Sequence, residues 1–558
     1  MIPLTSRIAL LGGVALAALA VATQDFAHHY HYAPSLGYGL GLDLYEHRLY
    51  PPWDIIRWAK TWGLEVREGL VSAARGVSVL FGVLATVALV SINRRAVRPF
   101  GRHRLGTLGD ARRSDLLAPS GIVLGRMPGA LGVPRILRDH SDRHLLVLGA
   151  TRSGKGVGVV VPTLLEGWRH SSVVWDPKGE LHAQTARARP GRALLFDPMS
   201  PASCRYNPLA EIRVGTTFAV GDAQAIAEIL VDPAAAQNAH DFWDRSAASL
   251  LTAIVLHVAS TGRDRTLGRV RDMAIDIEGA LDELRESPCA EAKAMARNVD
   301  KLEDRVRSSI EATVQSHLGW LADEMVRQAL SGHDLWIGDL MCGAEPVTLY
   351  LACSPANAVR LRPLVRLMLQ QIIRGLTGHI EHDDRGRAKR HPLLMMVDEL
   401  PQLGKLPVLE TALAIAAGYG VRFALVAQSL TQIERVYPSM VDNCGLIWAR
   451  PSNDERYLQR LADMIGRATE MRRSVSRWTS TWSEQTRPVM EGADIRELPD
   501  DRALLFVQGA RPLIIERVIW HRMRPWRRWA VKGAAPEPVS IPTVPPLMTT
   551  ATRTDDFL

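Results

Sequence analysis

Residues 149–156, Gly-Ala-Thr-Arg-Ser-Gly-Lys-Gly, have the composition of a loop that holds a nucleoside triphosphate. Small residues let successive backbone N–H groups converge on phosphate oxygens, and a helix N-terminus behind them adds positive potential. A lysine then reaches the outer phosphates. On this reading Gly149, Ala150, Thr151, Arg152, Ser153, Gly154, Lys155, Gly156 and Val157 contact the nucleotide, and Lys155 also acts in catalysis. The P-loop pattern ends in Lys followed by Ser or Thr, whose hydroxyl binds Mg²⁺; that place is Gly156 here. Far downstream, Leu393-Leu394-Met395-Met396-Val397 runs into Asp398-Glu399, a Walker B pattern. In such a pair Asp398 orders Mg²⁺ through water and Glu399 polarises the attacking water. Buried acids at a strand end are costly unless a cation or donor faces them, which favours a site over a surface. A further apolar run, 421–427, ends in Gln428-Ser429. The Gln428 amide is placed to sense the γ-phosphate or the water; alternatively the pair opens a helix, with Ser429 as its cap.

Only a parallel sheet would bring these distant residues to one edge. From residue 144 short apolar runs alternate with helix-period segments, which predicts an α/β fold with helices flanking a parallel sheet. The run 144–148 precedes the glycine loop. Ser172 to Trp175 ends in Asp176-Pro177-Lys178-Gly179-Glu180, and Ala193 to Phe196 ends in Asp197-Pro198. Open α/β sheets bind ligands at that carboxyl edge, although each Asp-Pro taken singly reads as a turn. Runs at 347–352 and 445–449, the latter ending at Arg450, continue the sheet, and 503–507 with 513–516 read as its closing edge. Between 210 and 340 alanine, leucine and charged residues recur at three- and four-residue spacing, which predicts an all-α insertion. Met471 to Thr486, with Arg472, Arg473, Arg477, Trp478 and Trp482, reads as either a nucleic-acid-contacting loop or a solvated hairpin.

The net charge of +8, spread along the chain, leans towards an anionic partner. Five widely spaced cysteines, Cys204, Cys289, Cys342, Cys353 and Cys444, match no disulfide or metal spacing and suit a reducing compartment. Two apolar stretches, about 4–23 and 76–92, predict membrane spans, with residues 24–75 between them. The small residues at 18–22 also permit a cleaved signal peptide over the first stretch. Arg94, Arg95, Arg98, Arg102 and Arg104 follow the second span, so the positive-inside rule places the rest of the chain in the cytoplasm. The outer segment holds His28, His29 and His31 without a carboxylate or cysteine to complete a metal site, and Trp53, Trp58 and Trp62 as interfacial residues. The expected organisation is a membrane anchor over 1–92 and a linker over 93–140. A nucleotide domain follows over 141–209 and 341–530, with an all-α domain over 210–340 and a disordered proline-rich tail over 531–558.

The order of these features resembles the TraG-like type IV secretion coupling proteins, the conjugative DNA-transfer ATPases. The carrying residues are the two spans, 149–156, Asp176-Pro-Lys-Gly-Glu180, the helical insertion, Asp398-Glu399-Leu400-Pro401 and Ala427-Gln428-Ser429. The resemblance implies a RecA-like P-loop NTPase domain that uses ATP and Mg²⁺, and a substrate-receiving all-α domain. It further implies a homo-hexameric ring at the inner membrane that passes relaxase-bound single-stranded DNA, or protein, into a type IV secretion channel. It also implies an arginine finger from a neighbouring subunit. The segment Ala414 to Gly418 lacks an arginine there, which leaves Arg422, Arg450 and Arg487 as unranked substitutes. Two alternatives stand beside it. One is a protein-substrate receptor with little ATP turnover, which the missing hydroxyl at Gly156 allows. The other is an FtsK-like double-stranded DNA translocase, expected to carry a C-terminal winged-helix domain that the proline-rich tail does not supply.

Overall fold

A computed structural model describes residues 16, 19–37, 39, 43–44, 47–63, 68–69, 71, 74, 103–129, 132–231, 242–262, 264–475 and 480–530. The predicted second span (76–92), residues 93–102 and the predicted tail (531–558) lie outside the described residues, as does most of the first span. No helix among the described residues is long and apolar enough to cross a membrane. The chain divides into two compact units, Met1–Gly101 and Arg102–Leu558.

In the first unit, helical residues 19–29 and the helix Asp54–Trp62 share a small aromatic core. Arg57 and Lys60 are exposed on one side of the second helix, whereas Ile55, Trp58 and Trp62 pack into that core on the other, so it buries one apolar stripe. Trp58 is only 1% exposed. It lies 5.3 Å from the Phe26 ring and 5.0 Å from the Tyr50 ring, and its indole N–H donates to Leu36 O at 3.2 Å. The expectation of an interfacial tryptophan therefore does not hold at Trp58, because the segment has enough aromatic surface to bury it internally. Trp53 is exposed.

The second unit is built on an eleven-stranded sheet, whose strands are numbered here along the chain. They are β1 (Ile122–Pro128), β2 (Pro134–Asp139), β3 (Leu145–Leu148), β4 (Ser171–Asp176), β5 (Arg192–Phe196) and β6 (Val347–Ala352). After these come β7 (Leu393–Val397), β8 (Val421–Ala427), β9 (Leu446–Ala449), β10 (Arg502–Val507) and β11 (Leu513–Glu516). The spatial order is β2-β1-β11-β10-β9-β3-β8-β7-β4-β6-β5. From β9 to β5 neighbouring strands run parallel; from β9 outward through β10, β11, β1 and β2 they run antiparallel.

The short apolar runs are continuous because both faces of the parallel part are covered. Alternate side chains feed two cores. Leu146, Leu148, Met395 and Leu425 pack with the helices between β5 and β6, whereas Leu145, Val147, Met396 and Val426 pack against Val159, Leu164 and Trp526. Between β5 and β6 the described residues form helices only, the longest being Phe242–Ser260, which buries Leu250, Leu251, Ile254 and Val255 completely. Those helices share one continuous apolar cluster with the sheet, so they form a layer of the same body.

Two sequence expectations change here. The 93–140 stretch is not simply a linker: it contributes the helix Leu108–Arg113 and the hairpin β1–β2. As a result 503–507 and 513–516 are internal strands rather than the closing edge. The hairpin was hidden because its apolar run is short and broken at Gly125. That residue has φ +155° beside a register shift, and an added Cβ would lie 2.7 Å from Glu516 O. The arginine-rich stretch after 466 forms a separate two-stranded ribbon, Arg467–Val475 with Ser480–Pro488.

Candidate active site

Parallel pairing in register is what brings the predicted residues together. Leu148 pairs with Ala427 on one side and Ala449 on the other, and Val397 pairs with Leu425 and Trp175. The residues that follow those positions, Gly149, Gln428, Arg450, Asp398 and Asp176, therefore emerge along one carboxyl edge, the ligand-binding edge of open α/β sheets. The strand bearing Gln428 lies between the loop strand and the acid strand.

The loop's conformation explains two of its three glycines. Gly154 has φ +83°, and an added Cβ would lie 1.9 Å from Arg517 Nη1. At Gly149 a Cβ would meet Ser153 Oγ at 2.6 Å. At Gly156 a Cβ would meet nothing within 4 Å, so space does not explain the absence of a hydroxyl-bearing residue there. Arg152 has φ +63°, a costly conformation for a side-chain-bearing residue. Val157 lies in a π-helical turn, Gly156–Val160, and a second π turn, Thr163–Gly167, follows Pro162. Such turns cluster at functional sites.

Lys155 folds back on the loop, donating to Gly149 O and, at 3.0 Å, to Ala150 O. Burial lowers its pKa, with Glu399 and Asp398 pulling the other way and Lys178 adding to the lowering. Opposite it, burial pushes Asp398 up to about 6, the Glu399 and Asp176 charges add to the shift, and Lys155 and Lys178 oppose it. Asp176 rises to about 6 for the same first reason, against backbone N–H groups that include His182 N–H at 2.9 Å. Glu399 sits at φ +64°, a strained position for a glutamate. It accepts from Gln428 Nε2 at 2.9 Å, and Gln428 Oε1 in turn accepts from Thr151 Oγ1 at 3.4 Å. One chain of polar contacts thus joins the glycine loop, the amide strand and the acid strand.

Asp176 and Lys178 belong to this edge although the Asp-Pro motif alone reads as a turn. The signal that could have found them is the register of β4 beside β7. Arg517, which donates to Ser153 O at 2.6 Å, carries no local signal at all.

The three arginines left unranked separate clearly. Arg422 is buried and bonded to Asp139 Oδ2 and Asp139 O, at the opposite edge of the sheet. Arg450 is buried and spent on Pro499 O, Arg502 O and Asp500. Arg487 is 70% exposed and 4.0 Å from Glu491, which leaves its guanidinium accessible.

Among the described residues no group of three or more His, Cys, Asp or Glu side chains could hold a metal ion unaided. Mg²⁺ asks for less: one or two carboxylates, with phosphates and waters completing its shell. Asp398 and Asp176 fit that demand: burial raises both carboxyls, with the Glu399 and Asp176 charges adding to the rise at Asp398, and a divalent cation would offset the cost of holding them ionised there.

Residues 108–549 match the family described as Type IV secretory system Conjugative DNA transfer. The chain is 32% identical to "Conjugal transfer protein TraG" of Escherichia coli, across 89% of this chain and 86% of that protein. It is 29% identical to "Protein VirD4" of Rhizobium rhizogenes, across 84% of this chain and 73% of that one. Its fold is similar to the solved structure of the bacterial conjugative coupling protein TrwBdeltaN70, with TM-score 0.58, 20% identity, and 75% and 92% of the two chains covered. The plasmid coupling protein TrwB in complex with ADP and Mg²⁺ gives TM-score 0.57 at 19% identity, covering 75% of this chain and 94% of that one. The sheet is therefore the RecA-like NTPase fold, and the chain belongs to the type IV secretory family of conjugative DNA transfer as a TraG-like coupling protein.

Proposed function

We propose that this coupling protein binds ATP with Mg²⁺ at the carboxyl edge of its sheet and hydrolyses it to drive DNA transfer. The observation that carries the reading is the Thr151–Gln428–Glu399 chain of contacts beside Lys155 and Asp398. Lys155 exchanges two loop carbonyls for phosphate oxygens when nucleotide enters, which relieves the burial of its charge. Glu399, held by the Gln428 amide, orients and polarises the attacking water, while Gln428 links that water to the loop that feels the γ-phosphate. Asp398, with Asp176 behind it, would hold Mg²⁺, and the ion when bound supplies charge neutralisation of the phosphates. Solved complexes of TrwB with ADP and Mg²⁺ and with a non-hydrolysable ATP analogue support the choice of ligand.

In this reading residues 4–23 and 76–92 anchor a homo-hexamer in the inner membrane, with the sheet domain in the cytoplasm. The helices between 210 and 340 receive relaxase-bound single-stranded DNA and deliver it to the secretion channel. Of Arg422, Arg450 and Arg487, Arg487 is the one left exposed to serve a neighbouring subunit. The test is ATP turnover by the full chain with and without single-stranded DNA. DNA-stimulated turnover, lost in Lys155→Ala, is expected; equal turnover in the two proteins sinks the proposal. Gly156 supports a second reading, a protein-substrate receptor of low turnover. That reading predicts undiminished substrate transfer by Lys155→Ala.

A further inference from the structure

The segment that follows β11 runs along the glycine loop and the helical turns behind it. Arg517 donates from Nη1 to Ser153 O at 2.6 Å. Val518, 1% exposed, places its carbonyl oxygen 3.4 Å from where a Cβ on Gly158 would lie. Further on, Trp526 Nε1 donates to Glu166 Oε2 at 3.0 Å, beside the second π turn. A strap from the antiparallel side of the sheet is thus fastened both to the glycine loop and to the second of the two helical turns behind it.

We propose that Arg517 is a positioning residue of the phosphate loop, and that it presents the Ser153–Gly154 peptide to the triphosphate. The inference rests on the ATP-site reading above. In a trans peptide the C=O and the N–H point in opposite directions. A guanidinium that holds Ser153 O from outside the loop therefore turns the Gly154 N–H away from itself, into the cradle, where phosphate oxygens need donors. The void at Gly154 is shaped to this contact: Nη1 occupies space within 1.9 Å of an added Cβ, so the glycine makes room for the arginine as well as for the turn. The base of the side chain is rigid, since Arg517 N–H donates to Asp501 O at 2.7 Å and the next residue is in the core.

Charge adds a second contribution. Among the described residues no carboxylate lies within ion-pair distance of Arg517 and its Nε is buried without a partner; partial burial and the Arg450 charge disfavour its positive charge, against the more distant Asp500 and Asp501. A half-buried guanidinium without an ion-pair partner is stabilised by an anion bound in the adjacent loop. Arg517 thereby makes the C-terminal strap part of the nucleotide site.

The experiment uses the full chain and a fluorescent, non-hydrolysable ATP analogue with Mg²⁺. Arg517→Met keeps the bulk of the side chain but removes donor and charge. It is expected to weaken binding roughly tenfold or more, as loss of a charge-assisted hydrogen bond does, with the thermal midpoint of the nucleotide-free protein unchanged. Arg517→Lys, which restores a donor and the charge, recovers most of the affinity. Gly154→Ala expels the guanidinium, so adding Arg517→Met to it costs little more. If Arg517→Met binds as tightly as wild type while Lys155→Ala does not bind, the inference is overturned and the ATP site stands. If Arg517→Met binds weakly only in step with a lowered midpoint and Arg517→Lys does not rescue, the role is structural and the inference fails. If the wild-type chain itself does not bind the analogue, the ATP reading falls and the inference with it.

Discussion

The two ends of β8 carry buried polar groups under opposite conditions. At the amino end Arg422, 3% exposed, meets Asp139, which is fully buried. The guanidinium bonds Asp139 Oδ2 at 2.5 Å and Asp139 O at 2.9 Å, and Arg143 caps the other carboxylate oxygen. At the carboxyl end Lys155 spends its charge on two neutral carbonyls, and Asp398, Asp176 and Glu399 crowd together. A buried pair with both carboxylate oxygens hydrogen-bonded is a fastening; buried charges left partly uncompensated are poised for a ligand. The same strand thus separates structural from functional charge, which residue type alone could not do.

The comparison breaks most visibly at its functional end. Glu399→Gln should lower ATP turnover by about a hundredfold or more while nucleotide affinity stays near wild type, read by turnover and by equilibrium binding. At the structural end, Arg422→Ala should cost about 3 kcal/mol or more of stability in denaturant unfolding, because it removes the buried partner of a fully buried carboxylate and leaves Asp139 with the partly exposed Arg143 and the Ser141 hydroxyl.

A smaller effect of opposite sign sharpens the contrast. Asp398→Asn should stabilise the nucleotide-free protein by about 2 kcal/mol at neutral pH while weakening Mg²⁺-dependent binding. The sign follows from linkage. The Asp398 and Asp176 pKa values are raised from 3.8 to about 6, so the folded state holds more protons than the unfolded chain between those values. Stability from these groups is full below about pH 4 and falls as pH rises to about 6. Asp110 acts the other way: the Thr107 backbone N–H, aided by Arg113, holds its pKa well below 3.8, so its contribution is lost as pH falls below that value. A thermal-midpoint scan should show the decline between pH 4 and 6 flatten in Asp398→Asn and Asp176→Asn. The smallest change expected is at Gly156. An added Cβ at 156 meets nothing within 4 Å, so Gly156→Thr should leave the midpoint within about a degree, while Mg²⁺ affinity in the presence of nucleotide rises a few-fold.

What the sequence made legible is what is local. The glycine loop, Asp398-Glu399 and Gln428 sit in or beside single strands whose apolar runs announce them. The α/β class and the all-helical stretch after β5 follow from periodicity alone. What stayed hidden depends on contacts between distant segments. Arg517 lies 364 residues from Ser153 in sequence, and nothing in Glu516-Arg517-Val518 marks it. Asp176 reads as a turn until β4 is placed beside β7. The hairpin β1–β2 escaped because Gly125 interrupts its apolar run, and Trp58 reads as interfacial until Phe26 and Tyr50 are seen around it.

The most direct measurement of the central claim is single-turnover hydrolysis of ATP with Mg²⁺ by the full chain and by Glu399→Gln, each loaded to the same occupancy. The account predicts equal occupancy and a rate in the variant lower by about a hundredfold or more. Equal rates at equal occupancy would contradict it.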